Sequence, residues 1–304
     1  MPNPHTVPQG ALSMHGWRIA APSWVIADSL AANCRFLEGR VSEVGLLFFE
    51  TTACLAYTEK DLPADMASLS LAWHAHLPLD LPWEDAETTA DICLSLMDNV
   101  DFLGVRRAVL HPPVSASMGE AAPRALEYFA RRWRMAGRDM RDCLLENIHG
   151  EDLTGLWPTI RRLGFAVCLD IGHLLAYRQE RLLALPDLRA VVRMVHLNAP
   201  GPGGRHLPLT ALSSEDGERV ARVLQTVCGT PDTAGGKIGG EPVLMMEVFD
   251  WAGFVESLPV LNRMLIDGGT ALPGRTPEER FFSSSPSPAV SGAPLPATAS
   301  KGEE

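Results

Sequence analysis

Between residues 15 and 269 the chain alternates short apolar, β-branched runs with longer stretches in which apolar residues recur at helical spacing. The short runs are WRIAAPSWVI (17–26), VGLLFFE (44–50), LSLAWHAH (69–76), RAVLHPP (107–113), DCLLENI (142–148), FAVCLDI (165–171), VRMVHLN (192–198) and PVLMMEV (242–248). The amphipathic stretches between and after them begin DSLAANC, AETTADI, APRALEY, DLTGLWP, RLLALPD, SEDGERV and WAGFVES. Asp28, Asp152 and Ser214 stand where helix starts favour an acidic or hydroxyl side chain, and Gly164 where a helix should stop. Strand–helix alternation implies right-handed βαβ units and a parallel sheet. Eight such units in roughly 250 residues predict an α/β fold, a single closed (β/α)8 barrel over 15–269.

Two nucleotide-binding alternatives lack their phosphate cradle: no G-x-G-x-x-G follows the first strand, and no G-x-x-x-x-G-K-[ST] occurs anywhere. Residues 270–304 are expected to be a disordered tail, because the last 24 (281–304) hold four Pro and six Ser and little to bury.

Composition narrows the function classes. Hydrophobic residues make up 46% of the 304 and charged residues 21%, an ordinary globular balance. No run approaches the roughly 18 apolar residues of a membrane span, and MPNPHTVPQG lacks the pattern of a secretory signal. A cytoplasmic protein without a membrane partner is expected. A net charge of -11 makes nucleic acid a poor partner, since phosphate neutralisation supplies most of such affinity. The cysteines at 34, 54, 93, 143, 168 and 228 form no C-x-x-C pair and predict buried, reduced thiols. The oligomeric state is not encoded in any motif.

In a (β/α)8 barrel the active site lies at the C-terminal ends of the strands. Here the third run ends in His74 and His76, the fourth in His111, the fifth in Glu146, and the sixth in Asp170 with His173 just beyond. The seventh ends in His196, the loop after it carries His206, and the eighth ends in Glu247. Singly, each has a structural explanation as a bonded core histidine or a helix cap. Together, six consecutive strands deliver metal-ligand types to one rim. Clustered carboxylates would repel one another without a cation, and mixed imidazole and carboxylate donors suit Zn, Mn or Fe better than Mg or Ca. His74 lies two residues from His76 on the same strand face, so either could be the ligand or a substrate contact. His149 could be a ligand or structural.

The segments HLPL, VLHPP, LLENIHG, CLDIGHLLAY, VHLNAP, RHLPL and MEV, taken in order, resemble the endonuclease IV and xylose-isomerase-like TIM-barrel superfamily over nearly the whole chain. The resemblance implies two or three divalent ions, Zn or Mn foremost. His76, His111 and Glu146 would hold one, and Glu146, as a bridge, with Asp170, His196 and Glu247 a second. His173 and His206 would serve a third, weakened because Gly204 stands where the endonucleases carry an Asp. The superfamily's isomerases and epimerases need only Glu146, Asp170, His196 and Glu247 around one ion. The additional imidazoles favour a phosphodiesterase, in which two metals about 4 Å apart activate water and stabilise the leaving oxygen.

The stretches APSWVIADSLAANCRFLEGRVSEVGLLFFE and HLPLDLPW resemble the cobamide-remodelling phosphodiesterases of the CbiR branch. That implies hydrolysis of the nucleotide loop of a corrinoid substrate at the phosphoribosyl bond. Trp24, Phe48, Phe49 and Trp83 would then line an apolar wall for the corrin or its base, unless they pack the barrel. Glu50 would touch substrate or cap a helix. Glu146 and Glu247 would serve catalysis, Glu247 by orienting or deprotonating the water, and Arg205 would hold a phosphate oxygen or remain a solvated loop charge.

Overall fold

The computed structural model describes residues 13–229 and 242–267. Eight parallel strands close into a barrel: β1 (Trp17–Pro22), β2 (Glu43–Leu47), β3 (Ala72–His76), β4 (Arg107–Leu110), β5 (Cys143–Glu146), β6 (Ala166–Asp170), β7 (Val192–Leu197) and β8 (Val243–Met246). Each pairs with the next, and β8 returns to β1 through Leu244 opposite Ile19. This is the predicted (β/α)8 TIM barrel. Each predicted run matches one strand; β3 ends with its run at His76, and the other seven stop short of the ends of theirs. β1 ends at Pro22, which has no N–H to continue a ladder.

The helices are α1 (Leu30–Leu37), α2 (Thr51–Leu55), α3 (Ala86–Asn99), α4 (Ser115–Met118), α5 (Ala121–Met135), α6 (Trp157–Leu163), α7 (Ile171–Ala176), α8 (Leu188–Val191), α9 (Ser214–Cys228) and α10 (Trp251–Asp267). α5 shows why these segments coil and dock: Leu126, Phe129, Ala130 and Trp133, at i, i+3, i+4 and i+7, are all buried. Gly164 ends α6 in the left-handed conformation at φ 81°, as expected. The predicted caps shift by a residue or more. Ser29 caps α1 in place of Asp28, and Ser213 caps α9 in place of Ser214. Asp152 turns its own loop by accepting from Thr154. All six cysteines are free and buried, as expected. Among the described residues no helix is long and apolar enough to cross a membrane. The predicted tail, 270–304, lies outside the described residues.

Two apolar layers form. The large one fills the space between strands and helices. The small one plugs the barrel interior with Ala20, Val109, Leu144, Ala166, Cys168, Met194, Val243 and Met245. A register shift between Val167 and Cys168 gives β7 one extra residue, a bulge beside the site. Beyond it Asp170 is brought opposite His196.

Candidate metal centre

The interior plug explains how the polar residues gather. Side chains along a strand alternate sides, so the residue two positions after a plug residue points inward one layer higher. Val109, Leu144, Cys168, Met194 and Met245 belong to the plug, and His111, Glu146, Asp170, His196 and Glu247 each follow one of them by two. His76 stands likewise two above His74. The sheet register therefore stacks six ligand-type side chains into one ring at the mouth.

Glu146 sits at the centre of the ring and is buried. Its Oε2 faces His76 Nε2 at 3.1 Å and His111 Nε2 at 3.6 Å. Its Oε1 faces His196 Nδ1 at 3.4 Å and His173 Nδ1 at 3.5 Å. His196 Nδ1 also lies 3.8 Å from Asp170 Oδ2 and 3.3 Å from Glu247 Oε2. Among the described residues four overlapping donor sets result, His76–His111–Glu146, Glu146–Asp170–His196–Glu247, His76–His196–Glu247 and Glu146–Cys168–His196, with the donor atoms of each within 4.8 Å of one another. The first two group the same residues as the sets that the resemblance implies.

The donors fit a divalent ion. Two ligands each about 2.1 Å from a tetrahedral ion stand about 3.4 Å apart, which matches the contacts of His196. Both ring nitrogens of His196 and Oε2 of Glu247 are buried without a hydrogen bond, a cost that a shared cation removes. His76 Nδ1 donates to the Leu77 carbonyl at 2.9 Å, so Nε2 is left as the donor facing Glu146. Burial alone would raise the Glu146 carboxyl, but the imidazoles of His196, His111 and His173 hold it well below the usual range. Asp170, with less compensation, is pushed up to about 6 by burial and by its neighbours Glu146 and Glu247.

Several positioning residues carried no separate expectation. Asn147 accepts from Asp170 N at 2.8 Å and donates to Asp170 O at 2.9 Å, imitating a strand partner and fixing that peptide. Asn198 Nδ2 donates to Asp170 Oδ2 at 3.4 Å. Their sequence signal is membership of the segments LLENIHG and VHLNAP, Asn147 directly after Glu146 and Asn198 two residues after His196, with no role of their own marked there. Gly172 makes room for Asn198, since a Cβ there would fall 1.9 Å from Asn198 Oδ1. Gly172→Ala is expected to displace Asn198, loosen Asp170 and cost roughly 1–3 kcal/mol. Thermal unfolding and metal content, both lowered, would show it. Cys168 adds a buried thiol within reach of Glu146 and His196, pushed up to about 12 by burial.

His173 and His206 face each other across the mouth with ring centroids 6.0 Å apart. Each Nδ1 donates to a backbone carbonyl, Asn147 at 2.9 Å and Glu247 at 3.2 Å, which leaves Nε2 for a ligand. Gly204 lines the same cavity and supplies no carboxylate. His206→Ala is therefore expected to lower metal content less than loss of any residue around Glu146, as metal analysis of the purified variant would show.

Other expected contacts lie elsewhere. His74 is wholly buried one layer below His76, its Nδ1 bonded to Glu43 Oε1 at 2.8 Å, so it belongs to the barrel interior and not to the mouth. The neighbouring strand β2 makes space for it, because a Cβ on Gly45 would come within 2.6 Å of its Nε2. Trp83 is buried against Phe129 and its indole N–H donates to the His111 carbonyl at 2.9 Å, so it positions a ligand and forms no wall. Trp24 is 46% exposed and does not line the cavity. Glu50 occupies the N-cap position of α2 without a side-chain capping bond, and Asp80 accepts from Thr51 N instead. Arg205 is exposed, with Nε donating to Pro202 O of its own loop at 3.4 Å, the solvated alternative.

The cavity over the ring has a volume of about 280 Å³. His76, His111, Glu146, His173, His206 and Glu247 form its floor and one side. Leu47, Phe48, Phe49, Leu79 and Phe249 form an apolar wall. Phe49 and Phe48 were expected there. Leu79 and Phe249 were not, because they lie in loops past the strands, where the alternation that signals facing has ended.

No family model and no curated protein matches the sequence. Solved structures do match in fold. A D-tagatose 3-epimerase-like protein superposes with a TM-score of 0.60 at 16% identity, covering 82% of this chain and 97% of that one. Endonuclease IV from Thermus thermophilus gives a TM-score of 0.60 at 17% identity, covering 82% and 98%. A xylose isomerase domain containing protein from Salmonella typhimurium gives 0.53 at 15%, covering 83% and 97%. What these structures share with the chain is the fold, a TIM barrel. One neighbour is named for an epimerase and another for an endonuclease at equal TM-score, so the choice of chemistry rests on the site.

Proposed function

We propose that the chain is a metal-dependent phosphodiesterase that hydrolyses the nucleotide loop of cobamides on the ribose side of the phosphate. The observation that supports this reading is the division of Glu146, whose Oε2 serves His76 and His111 while Oε1 serves His196. A carboxylate shared in this way suits two adjacent ions. His76, His111 and Glu146 would hold one, and Glu146, Asp170, His196 and Glu247 the other, with Zn or Mn suited to the donors. When bound, two such ions supply activation of water and neutralise charge on the attacking and leaving oxygens.

Hydrolysis adds the water oxygen to phosphorus and breaks the bond to the ribose oxygen, which leaves with a proton. The products are cobinamide phosphate and the α-riboside of the lower-ligand base. Glu247 lines the cavity and its Oε2, 3.3 Å from both His196 Nδ1 and His206 Nδ1, has no hydrogen bond, which suits it to orient the water or take its proton. The cavity of about 280 Å³ accommodates the diester and its immediate substituents. Exposed Phe49 and Leu79 continue the apolar wall outward, where the macrocycle would rest.

A sugar isomerase or epimerase is the competing reading, because Glu146, Asp170, His196 and Glu247 suffice for one ion. It leaves the contacts of His76 and His111 on Glu146 without a role. An abasic-site endonuclease ranks third, since a net charge of -11 opposes duplex DNA. Incubation of metal-loaded protein with adenosylcobalamin is expected to yield phosphorylated cobinamide and the free riboside by mass spectrometry. No turnover, together with epimerisation of a keto-sugar, would decide for the competitor.

A further inference from the structure

We infer that Tyr177 and His149 form a stacking platform for a planar nitrogen heterocycle joined through a sugar to the phosphate at the metal centre. This rests on the phosphodiesterase reading and assigns the other half of its substrate. His149 is exposed at the tip of a tight turn in which Ile148 and Glu151 exchange N–H···O bonds of 2.9 and 3.1 Å. Gly150 closes that turn at φ 80°. Glu151 anchors it from below, since its buried carboxylate accepts from Leu153 N and Ser115 N.

The end of α7, where Tyr177 sits, is tied to the same turn. Gln179 Nε2 donates to Ile148 O at 2.7 Å, and its Oε1 accepts from Asn147 Nδ2 at 2.9 Å. The two rings are thereby held 4.6 Å apart at 51°, with Tyr177 38% exposed. Among the described residues neither the Tyr177 hydroxyl nor a His149 ring nitrogen has a hydrogen-bond partner, and both residues are exposed. Rigid, exposed aromatic groups with unused donors and acceptors are pre-organised for a ligand, because little ordering remains to oppose binding.

Their location selects the ligand. Tyr177 lies 5.6 Å from the ring of His173, which lines the metal cavity. The apolar wall of Phe49, Leu79 and Phe249 flanks the same cavity, with His206 stacked on Phe249 at 5.2 Å. A diester bound at Glu146 would meet the apolar wall with one substituent and, beyond His173, the Tyr177–His149 pair outside the cavity lining with the other. A flat base with ring nitrogens matches the second surface: its face stacks on Tyr177 and its edge exchanges a hydrogen bond with His149.

The probe is 5,6-dimethylbenzimidazole riboside, titrated by calorimetry and saturation-transfer NMR into metal-loaded wild type, Y177F, Y177L and H149A. Strongest transfer is expected at the heterocycle protons. Y177L should bind about tenfold or more weakly, the scale of one lost base–aromatic stack, while Y177F stays near wild type and H149A loses severalfold. With adenosylcobalamin as substrate, Y177L should raise KM more than it lowers kcat. Unchanged riboside affinity in folded, metal-replete Y177L overturns the platform. If the riboside binds through Tyr177 but no cobamide is hydrolysed, the platform stands and the phosphodiesterase reading fails. If hydrolysis proceeds in Y177L at the wild-type KM, the reading stands and the platform fails.

Discussion

Glu146→Gln is expected to empty both principal metal positions at once. An amide of the same shape keeps the volume but loses the anionic charge and one acceptor oxygen. Oε2 serves His76 and His111, and Oε1 serves His196, so no single-oxygen donor can satisfy both sets. Substituting residues that merely support a metal ligand costs about 10–100-fold in metal affinity or activity. Loss of a shared ligand should exceed that range, with activity down at least about a hundredfold. His111→Asn should remove only the ion that His76, His111 and Glu146 would hold, because His111 approaches Oε2 alone. Metal stoichiometry by mass spectrometry of the purified variants separates the two cases. Full metal content in Glu146→Gln would refute a bridging role and with it the chief support for phosphodiester chemistry.

What could be read from sequence divides along a physical line. Strand-end ligands were legible because period-two alternation and parallel register are local rules that propagate. Once Leu144 and Met194 face inward, Glu146 and His196 must as well. The same rule, applied one layer too low, left His74 and His76 indistinguishable. What separates them is a partner from another strand, Glu43, which no local pattern announces. Trp83 failed as a wall for a similar reason: its indole N–H finds the His111 carbonyl 28 residues away, and that bond turns the ring inward. Loop residues were legible only where chemistry marked them. His206 and His173 were found as imidazoles, whereas Leu79, Phe249 and Tyr177 carry neither periodicity nor a ligand-type side chain. The bulge between Val167 and Cys168 was equally invisible, although Asp170 meets His196 only beyond it.

The stabilising effect of added metal is expected to grow as pH rises from about 6 to about 9. Burial works against a charged His173, yet Asp170 and Glu146 outweigh it and push its pKa up to about 10. His196 is likewise held well above its ordinary 6.5, chiefly against burial, by Cys168, Glu247 and Glu146. In the metal-free protein these imidazoliums pair with the carboxylates. A histidine raised in the folded state contributes stability that is complete below about 6.5 and is lost as pH climbs through the folded value. The metal-free fold should therefore weaken across this interval. Metal binding runs the other way, because every imidazole must shed its proton before it can ligate. Affinity then rises about tenfold per pH unit for each proton released. Asp170, pushed up to about 6, adds a further proton at the acidic end. Both trends widen the gap between loaded and metal-free protein as pH rises. Thermal unfolding with and without Zn(II), repeated across the interval, measures that gap directly. A gap that stays constant or narrows toward pH 9 would mean that these histidines do not give up protons to a metal.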